Sequence, residues 1–162
     1  MLIDAPDLVR DRTAVATFDF DNTMTLPVYN RKKKRWDHSS EPNPIILEDM
    51  FRYACAGWAI YVLVDRPKTI GDRATVSGFI RKHDIPVTGT IYCNGWDKID
   101  FIKSAKAIVH YDDEIADLER LPEGTVGIRV PHPEDSETDN YLLASCTRML
   151  ADAVQMSCDG MT

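Results

Sequence analysis

The chain has 162 residues, 44% of them hydrophobic, which is enough for one domain with a buried core, and we expect residues 1–162 to form a single domain. Its formal net charge of −7 argues against non-specific nucleic-acid binding by the whole surface, although a local basic patch is compatible with it. Four cysteines without a CxxC pair predict neither a zinc site nor a disulfide framework. Because there is no membrane-length apolar run and no signal-peptide pattern, we expect a soluble, cytoplasmic protein.

Five short runs of β-branched and other apolar residues predict strands. Each is bounded by glycine, proline or acidic residues, and the second, WAIYVLV, is apolar throughout, which is typical of a strand covered on both faces. The five predicted strands cover residues 13–18, 58–64, 88–93, 107–111 and 125–130.

Helical patterns lie between these strands. Pro44 suits the first turn of a helix that ends before Gly57, and Thr69 can cap the next helix. The alternation of strand and helix predicts an α/β fold, a Rossmann-like three-layer sandwich around a central parallel sheet of about five strands. The predicted helices cover residues 44–56, 69–83, 98–106, 114–121 and 138–156.

Residues 24–43 interrupt the alternation. They contain MTLPVYN, then RKKKR, then WDHSSEPN, without helical periodicity, and so predict a small projecting β-hairpin with a basic tip. This flap is too short to be a large cap domain, so we expect an open site.

Acidic residues gather where the predicted strands end. Residues 19–23, DFDNT, follow the first strand, Asp112 and Asp113 follow the strand at 107–111, and Lys98 opens the helix before it. Because parallel strands end at one edge of a sheet, we expect these groups to lie together. Carboxylates so placed repel one another unless a cation neutralises them, and hard oxygen ligands suit Mg²⁺. A magnesium site is therefore predicted, and covalent catalysis through an aspartyl phosphate is chemically reasonable there.

Taken singly, each acid also fits a structural role. Asp19 can be a turn or cap residue, and Asp112 and Asp113 can favour a helix N-terminus through its dipole. The combination favours catalysis, since DxDxT, a lysine and DD come in this order at one predicted edge.

In this order the motifs resemble the haloacid dehalogenase superfamily of phosphohydrolases, and most closely the 3′-phosphatase domains of the phage polynucleotide kinase type. Its first motif, DxDxT, is present as Asp19, Asp21 and Thr23. The resemblance covers residues 14–118, through TFDFDNTMT, NPIILEDMF, IYVLVDRP, KIDFIK and IVHYDDE.

The resemblance implies a role for each matching residue. Asp19 is expected to attack phosphorus and to bind Mg²⁺. Asp21 is expected to protonate the leaving oxygen, then to activate water, and to offer its backbone carbonyl to the metal. Asp112 and Asp113 are expected to complete the metal site, and Lys98 to hold the phosphate and neutralise the nucleophile.

Substrate binding is implied for Thr23, which is also expected to orient Asp21, and for Asn22 and Arg66. One position departs from the family pattern. The second motif ends its strand with serine or threonine, whereas this chain has Val64, so one phosphate contact is missing or comes from another residue. Loss of one hydrogen bond to a charged group costs about 1.5–3 kcal/mol.

The basic tip points to nucleic acid. Positive charge beside Trp36 can hold a backbone phosphate and stack a base, which predicts binding of nucleic-acid 3′ ends, whereas the alternative is a solvated tip that keeps the hairpin from aggregating. We assign no chemistry to the histidines His38, His83, His110 and His132. The tip residues are Arg31, Lys32, Lys33, Lys34 and Arg35.

Alternative functions remain open from the residues alone. A nucleotide or small-metabolite phosphatase fits the same acidic motifs, and Val64 is compatible with a catalytically weak relative that binds nucleic acid. A receiver domain of a signalling pathway is disfavoured, because it places adjacent acids after the first strand and its acceptor aspartate after the third.

Overall fold

The computed structural model describes residues 13–134. Within them the strands are β1 (Val15–Asp19), β2 (Val28–Asn30), β3 (Arg35–Asp37), β4 (Ala59–Val64), β5 (Gly89–Tyr92), β6 (Val109–Asp112) and β7 (Val126–Arg129). The helices are α1 (Pro44–Cys55), α2 (Ile70–Lys82), α3 (Lys98–Ala105) and the short α4 (Ile115–Leu118). All five predicted sheet strands are confirmed, with ends that differ by at most two residues, and strands β2 and β3 confirm the predicted hairpin within residues 24–43.

The central sheet is parallel and has the order β5-β4-β1-β6-β7. Strand β1 therefore lies in the middle, between β4 and β6, and its two neighbours come from distant parts of the chain. The hydrophobic core on one face contains residues of α1 and α2, and a second cluster on the other face contains Ile102 of α3. This arrangement confirms the three-layer α/β fold.

Alternation along β1 divides its side chains between the two faces. Ala16 and Phe18 are buried in the larger core, where the Phe18 ring stacks on Tyr111 of β6 at 4.5 Å between centroids. Thr17 and Asp19 point to the opposite face because successive side chains of a strand alternate. Packing of Ala16 and Phe18 in the core thus fixes the orientation of β1, and with it the position of Asp19 at the carboxyl end of the sheet.

Two helix boundaries follow the predicted capping signals. Pro44 occupies the first turn of α1, and the Thr69 side chain accepts a hydrogen bond from the backbone N–H of Asp72 at 3.1 Å at the start of α2. The predicted helix at 138–156 lies outside the described residues, and the single-domain organisation of residues 1–162 stays a prediction. Within residues 13–134, no helix is both long enough and apolar enough to cross a bilayer.

The hairpin of β2 and β3 leaves the body directly after the turn that follows β1. Its stem is tied by backbone bonds from Leu26 N–H to the Glu41 carbonyl at 2.8 Å and from Asn43 N–H to the Met24 carbonyl at 2.9 Å. At the tip, the Asn30 side chain accepts hydrogen bonds from the backbone N–H groups of Lys32 and Lys33, both at 3.1 Å. The basic tip is therefore held on a stem that begins beside the carboxyl edge of the sheet.

Candidate active site

Three carboxylates converge at the carboxyl edge of the sheet. Asp19 ends β1, Asp112 ends the adjacent strand β6, and Asp113 follows it, and each offers an oxygen within 4.8 Å of the others. Asp112 is fully buried and Asp19 is only 5% exposed. Oxygen donors of this kind and spacing fit a hard divalent cation, as the sequence predicted.

Lys98 lies among these carboxylates from the first position of α3. Its Nζ donates to Asp19 Oδ1 and to Asp112 Oδ2, both at 2.8 Å, and lies 3.3 Å from Asp117 Oδ2. The side chain of Asp97 starts the helix by accepting from the backbone N–H of Ile99 at 3.0 Å. The cap thus fixes the point at which the lysine enters the site.

Burial and charge act in opposite directions on these groups. Burial raises the pKa of Asp19 well above its usual value, although the nearby Lys98 ammonium opposes the shift. Burial also acts to raise the pKa of Asp112, but hydrogen bonding from His110 and the charge of Lys98 outweigh it and lower that pKa. Burial acts to lower the pKa of Lys98, and the facing carboxylates of Asp19 and Asp112 raise it above the usual value.

The ionised form of Asp113 is disfavoured both by burial and by neighbouring acids. Burial, followed by repulsion from Asp112 and Glu114, raises the pKa of Asp113 to about 7, against a hydrogen bond from the Asn22 side chain that opposes the shift. A divalent cation beside these oxygens would favour the ionised form of all three carboxylates. The electrostatics therefore fit a cation in addition to Lys98.

The turn after β1 carries the rest of the DxDxT motif. Asn22 adopts a left-handed backbone conformation with φ of 59°, and its N–H donates to the Thr25 hydroxyl at 3.2 Å. The Thr23 hydroxyl is buried and finds no hydrogen-bond partner within residues 13–134. The expected orienting contact from Thr23 to Asp21 is therefore not formed here, and the role of Thr23 stays a prediction.

Arg66, in the loop after β4, pairs with the second aspartate of the motif. Its Nε and Nη2 donate to the two carboxylate oxygens of Asp21 at 2.7 and 2.5 Å, and its Nη1 lies 3.7 Å from Asp72. This two-point geometry is the fork by which arginine holds a carboxylate, and it suits a phosphate equally well. The structure therefore places Arg66 beside Asp21, in the turn that follows Asp19.

Val64 gives the site no polar group. The side chain is fully buried in the larger core cluster with Val62 and Phe18. Phe18 pairs with Val62 and Asp19 with Leu63, so Val64 projects to the core face, opposite to Asp19. Residue 64, at which the resembled superfamily has serine or threonine, is therefore part of the hydrophobic core in this chain.

Two histidines to which we assigned no chemistry contact the site. His110 is fully buried in β6, and its Nε2 lies 3.0 Å from Asp112 Oδ2. His38, at the base of the hairpin, has its Nδ1 3.3 Å from Asn22 Oδ1 and 3.9 Å from Asp21 Oδ1. His110 carried a signal in the sequence, since residues two apart on a strand share a face, whereas the contact of His38 depends on the path of the hairpin.

Two grooves flank the hairpin. One, of about 740 Å³, is lined by Tyr29, Arg31, Lys32 and His38 and reaches Arg66. The other, of about 430 Å³, includes Asn22, Trp36 and Asp113 in its lining. The Trp36 ring packs edge-on against Tyr29 of the hairpin at 5.3 Å and His132 at 6.2 Å. The smaller groove thus joins the hairpin to Asp113, and the larger one joins it to Arg66.

No protein-family model matches the sequence, and no curated protein matches it. Among solved structures, the chain is similar to one in the Pnkp1/Rnl/Hen1 RNA repair complex, with 18% identity, a TM-score of 0.52 and coverage of 76% of this chain and 43% of that one. A second structure of the Pnkp1/Rnl/Hen1 complex gives 17% identity, a TM-score of 0.51 and coverage of 76% and 47%.

The chain thus spans less than half of either matched chain. A further match is D,D-heptose 1,7-bisphosphate phosphatase from B. bronchiseptica, with 14% identity, a TM-score of 0.48 and coverage of 87% of this chain and 99% of that one. At these identities a match shows the fold alone. The chain therefore shares its α/β fold with the matched chains of the RNA repair complex.

Proposed function

We propose that this protein is a Mg²⁺-dependent phosphomonoester hydrolase that acts through an aspartyl phosphate on Asp19. The observation that carries the proposal is the group of Asp19, Asp112 and Asp113 at the carboxyl edge of the sheet, where Lys98 bonds to the buried Asp19 and Asp112. A cation held by these three carboxylates and the backbone carbonyl of Asp21 would neutralise the substrate phosphate and so reduce its repulsion of the attacking Asp19 oxygen.

In the first step, a carboxylate oxygen of Asp19 forms a bond to phosphorus while the bond from phosphorus to the leaving oxygen breaks. Asp21 gives its proton to that oxygen. In the second step, Asp21 takes a proton from water as the water oxygen attacks the phosphoryl group, which breaks the bond to Asp19 and releases inorganic phosphate. Lys98, already 2.8 Å from Asp19, stabilises the negative charge of the transferred group.

The Asp21–Arg66 pair supports the assignment of these roles. Arg66 holds both oxygens of Asp21 and is only partly buried, so it can exchange that carboxylate for a substrate phosphate that presents the same pair of acceptors. Release of Asp21 on substrate binding would leave its carboxylate free to take up a proton from solvent, which it then gives to the leaving oxygen.

A phosphate-release assay tests the proposal. With Mg²⁺ and an aryl phosphate, the wild-type protein is expected to release phosphate, and a chelator is expected to stop the reaction until Mg²⁺ is restored. Asp19→Asn removes the nucleophile and is expected to lower kcat by at least about 10³-fold. Asp100→Asn, which changes an aspartate on α3 to the same amide, is the matched control. Equal release by wild-type protein and Asp19→Asn would refute the enzymatic proposal.

We further propose that the substrate is a nucleic-acid end with a 3′-phosphate. The support is the exposed basic tip, in which Arg31 and Lys32 line the groove that reaches Arg66. No ion pair joins Arg31, Lys32 or Lys34 to another described residue, so these cations are available to a polymer backbone.

A substrate panel distinguishes this from the alternatives. Oligonucleotides with 3′- or 5′-phosphate and mononucleotides are compared at 50 and 200 mM salt. Preference for the 3′-phosphorylated oligonucleotide, declining with salt, is the expected result. Equal or better turnover of mononucleotides at both salt concentrations would favour a nucleotide or small-metabolite phosphatase, and oligonucleotide binding without turnover would favour a nucleic-acid-binding relative.

A further inference from the structure

A line of three buried polar side chains crosses the middle of the sheet behind the acidic site. Thr17 of β1 has its hydroxyl 2.9 Å from His110 Nδ1 on β6, and His110 Nε2 lies 3.0 Å from Asp112 Oδ2. All three residues are completely buried. Burial of polar groups is costly unless each is hydrogen-bonded, and here both ring nitrogens have a partner.

This line is possible because of the strand pairing. Thr17 and His110 are direct partners in the parallel register of β1 and β6, and His110 and Asp112 are two residues apart on one strand face. The Thr17 hydroxyl also lies 3.3 Å from the Val109 carbonyl, so it either donates to His110 Nδ1 or donates to that carbonyl and accepts from Nδ1. The imidazole is thus fixed in its plane by neighbours on two strands.

Asp112 is consequently held on both oxygens. Oδ2 accepts from Lys98 and His110, and Oδ1 accepts from the backbone N–H of Glu114 at 2.9 Å. Charge compensation of Asp112 is already supplied by Lys98 at 2.8 Å. What His110 adds is direction, because its fixed imidazole is a further donor that, together with the Glu114 N–H, restricts rotation of the carboxylate about its Cβ–Cγ bond.

We propose that His110, oriented by Thr17, is a positioning residue that sets the Asp112 carboxylate for the divalent cation. This inference rests on the metal site of the proposed function. Partners that orient a metal ligand typically change metal affinity by about 10- to 100-fold when they are removed. Thr17 and His110 are completely buried, so neither is open to substrate and their effect passes through Asp112 alone.

Two pairs of variants separate orientation from packing. His110→Leu removes the donor to Asp112, whereas His110→Gln keeps an N–H donor on a side chain of similar reach. Thr17→Val removes the hydroxyl with little change in shape and without touching Asp112, and Thr17→Ser restores it. The metal-free unfolding midpoint of each variant reports its folding.

Mg²⁺ affinity is measured without substrate, from the rise of the unfolding midpoint with Mg²⁺ concentration, and again as the Mg²⁺ concentration for half-maximal activity. His110→Leu and Thr17→Val are expected to weaken Mg²⁺ binding by about 10- to 100-fold, with partial recovery in the Gln and Ser variants and a smaller effect on kcat at saturating Mg²⁺. Unchanged Mg²⁺ affinity in folded His110→Leu and Thr17→Val would overturn the inference. Failure of the wild-type protein to bind Mg²⁺ would instead overturn the proposed metal site itself.

Discussion

The carboxyl edge of the sheet and the β2–β3 hairpin both concentrate charge, but they hold it in opposite ways. At the edge, Lys98 Nζ is buried between Asp19 and Asp112, and each group has bonded partners on other elements. At the hairpin tip five cations in a row are exposed, and Asp37 pairs with two of them, Lys33 and Arg35.

This difference assigns different tasks to the two regions. Buried charges interact strongly because water screens them little, whereas exposed charges at the tip act weakly, at longer range and in a salt-dependent way. Changes at the edge are therefore expected to alter turnover, and changes at the tip to alter binding of a charged polymer. Four predictions test this division, in decreasing order of expected effect.

The largest expected effect follows from Asp21→Asn, which keeps the shape but removes the proton-transfer group. We expect kcat to fall by about 10²- to 10⁴-fold. With an aryl phosphate whose leaving group needs no proton, transfer of the phosphoryl group to Asp19 should still occur. Attack by water on the aspartyl phosphate should be slowed. A pre-steady-state burst of the released phenol, close to one per protein molecule, is therefore expected by stopped flow. Loss of activity without a burst would contradict the role of Asp21 in the second step.

The sequence allowed much of this edge to be predicted, because local pattern and chain order carry the information. The five strands are short apolar runs, three of which end at acidic residues, and a parallel sheet brings such ends to one edge whatever the strand order. Asp19, Asp112, Asp113 and Lys98 could thus be grouped before the neighbours of each strand were known.

What could not be predicted depends on which strands lie side by side. The Asp21–Arg66 pair joins residues 45 apart, and the Thr17–His110 contact joins residues 93 apart. Both contacts follow from the central position of β1 between β4 and β6. No local sequence pattern predicts that position. His110 was missed although its spacing from Asp112 placed both on one strand face.

Arg66→Lys gives the next largest effect. Lysine keeps the charge but loses the planar fork that holds both oxygens of Asp21 or of a phosphate. Loss of one charged hydrogen bond, about 1.5–3 kcal/mol, corresponds to a decrease of roughly 10- to 150-fold in kcat/KM. Arg52→Lys, which alters an arginine paired with Glu48 on α1, is the control and is expected to change kcat/KM by less than about twofold.

Val64→Thr tests whether the edge can gain the hydroxyl that is typical of the superfamily whose motifs the sequence resembles. The side chain is fully buried on the core face, so the added hydroxyl lies among apolar groups and is expected to destabilise the fold by about 1–3 kcal/mol. Urea unfolding measures the loss, with Val28→Thr on the exposed hairpin as control. A kcat increase of tenfold or more would show that residue 64 reaches the phosphate, contrary to its position here.

The smallest effect is expected at the hairpin. Arg31→Ala combined with Lys32→Ala removes two exposed cations of the groove that leads to Arg66, and Lys82→Ala with Lys103→Ala removes two exposed cations on α2 and α3. For a single-stranded oligonucleotide, each lost phosphate contact lowers the magnitude of the slope of log affinity against log salt by about 0.7. Loss of two contacts in the hairpin variant is therefore expected to lower that magnitude by about 1.4.

Turnover of an aryl phosphate should be unchanged in both double variants, because the tip contributes attraction to a polymer and not chemistry. If the two double variants lose equal slope, the hairpin is no more a binding element than the rest of the surface, and the division between the two regions fails on the hairpin side while the acidic edge keeps its assigned role.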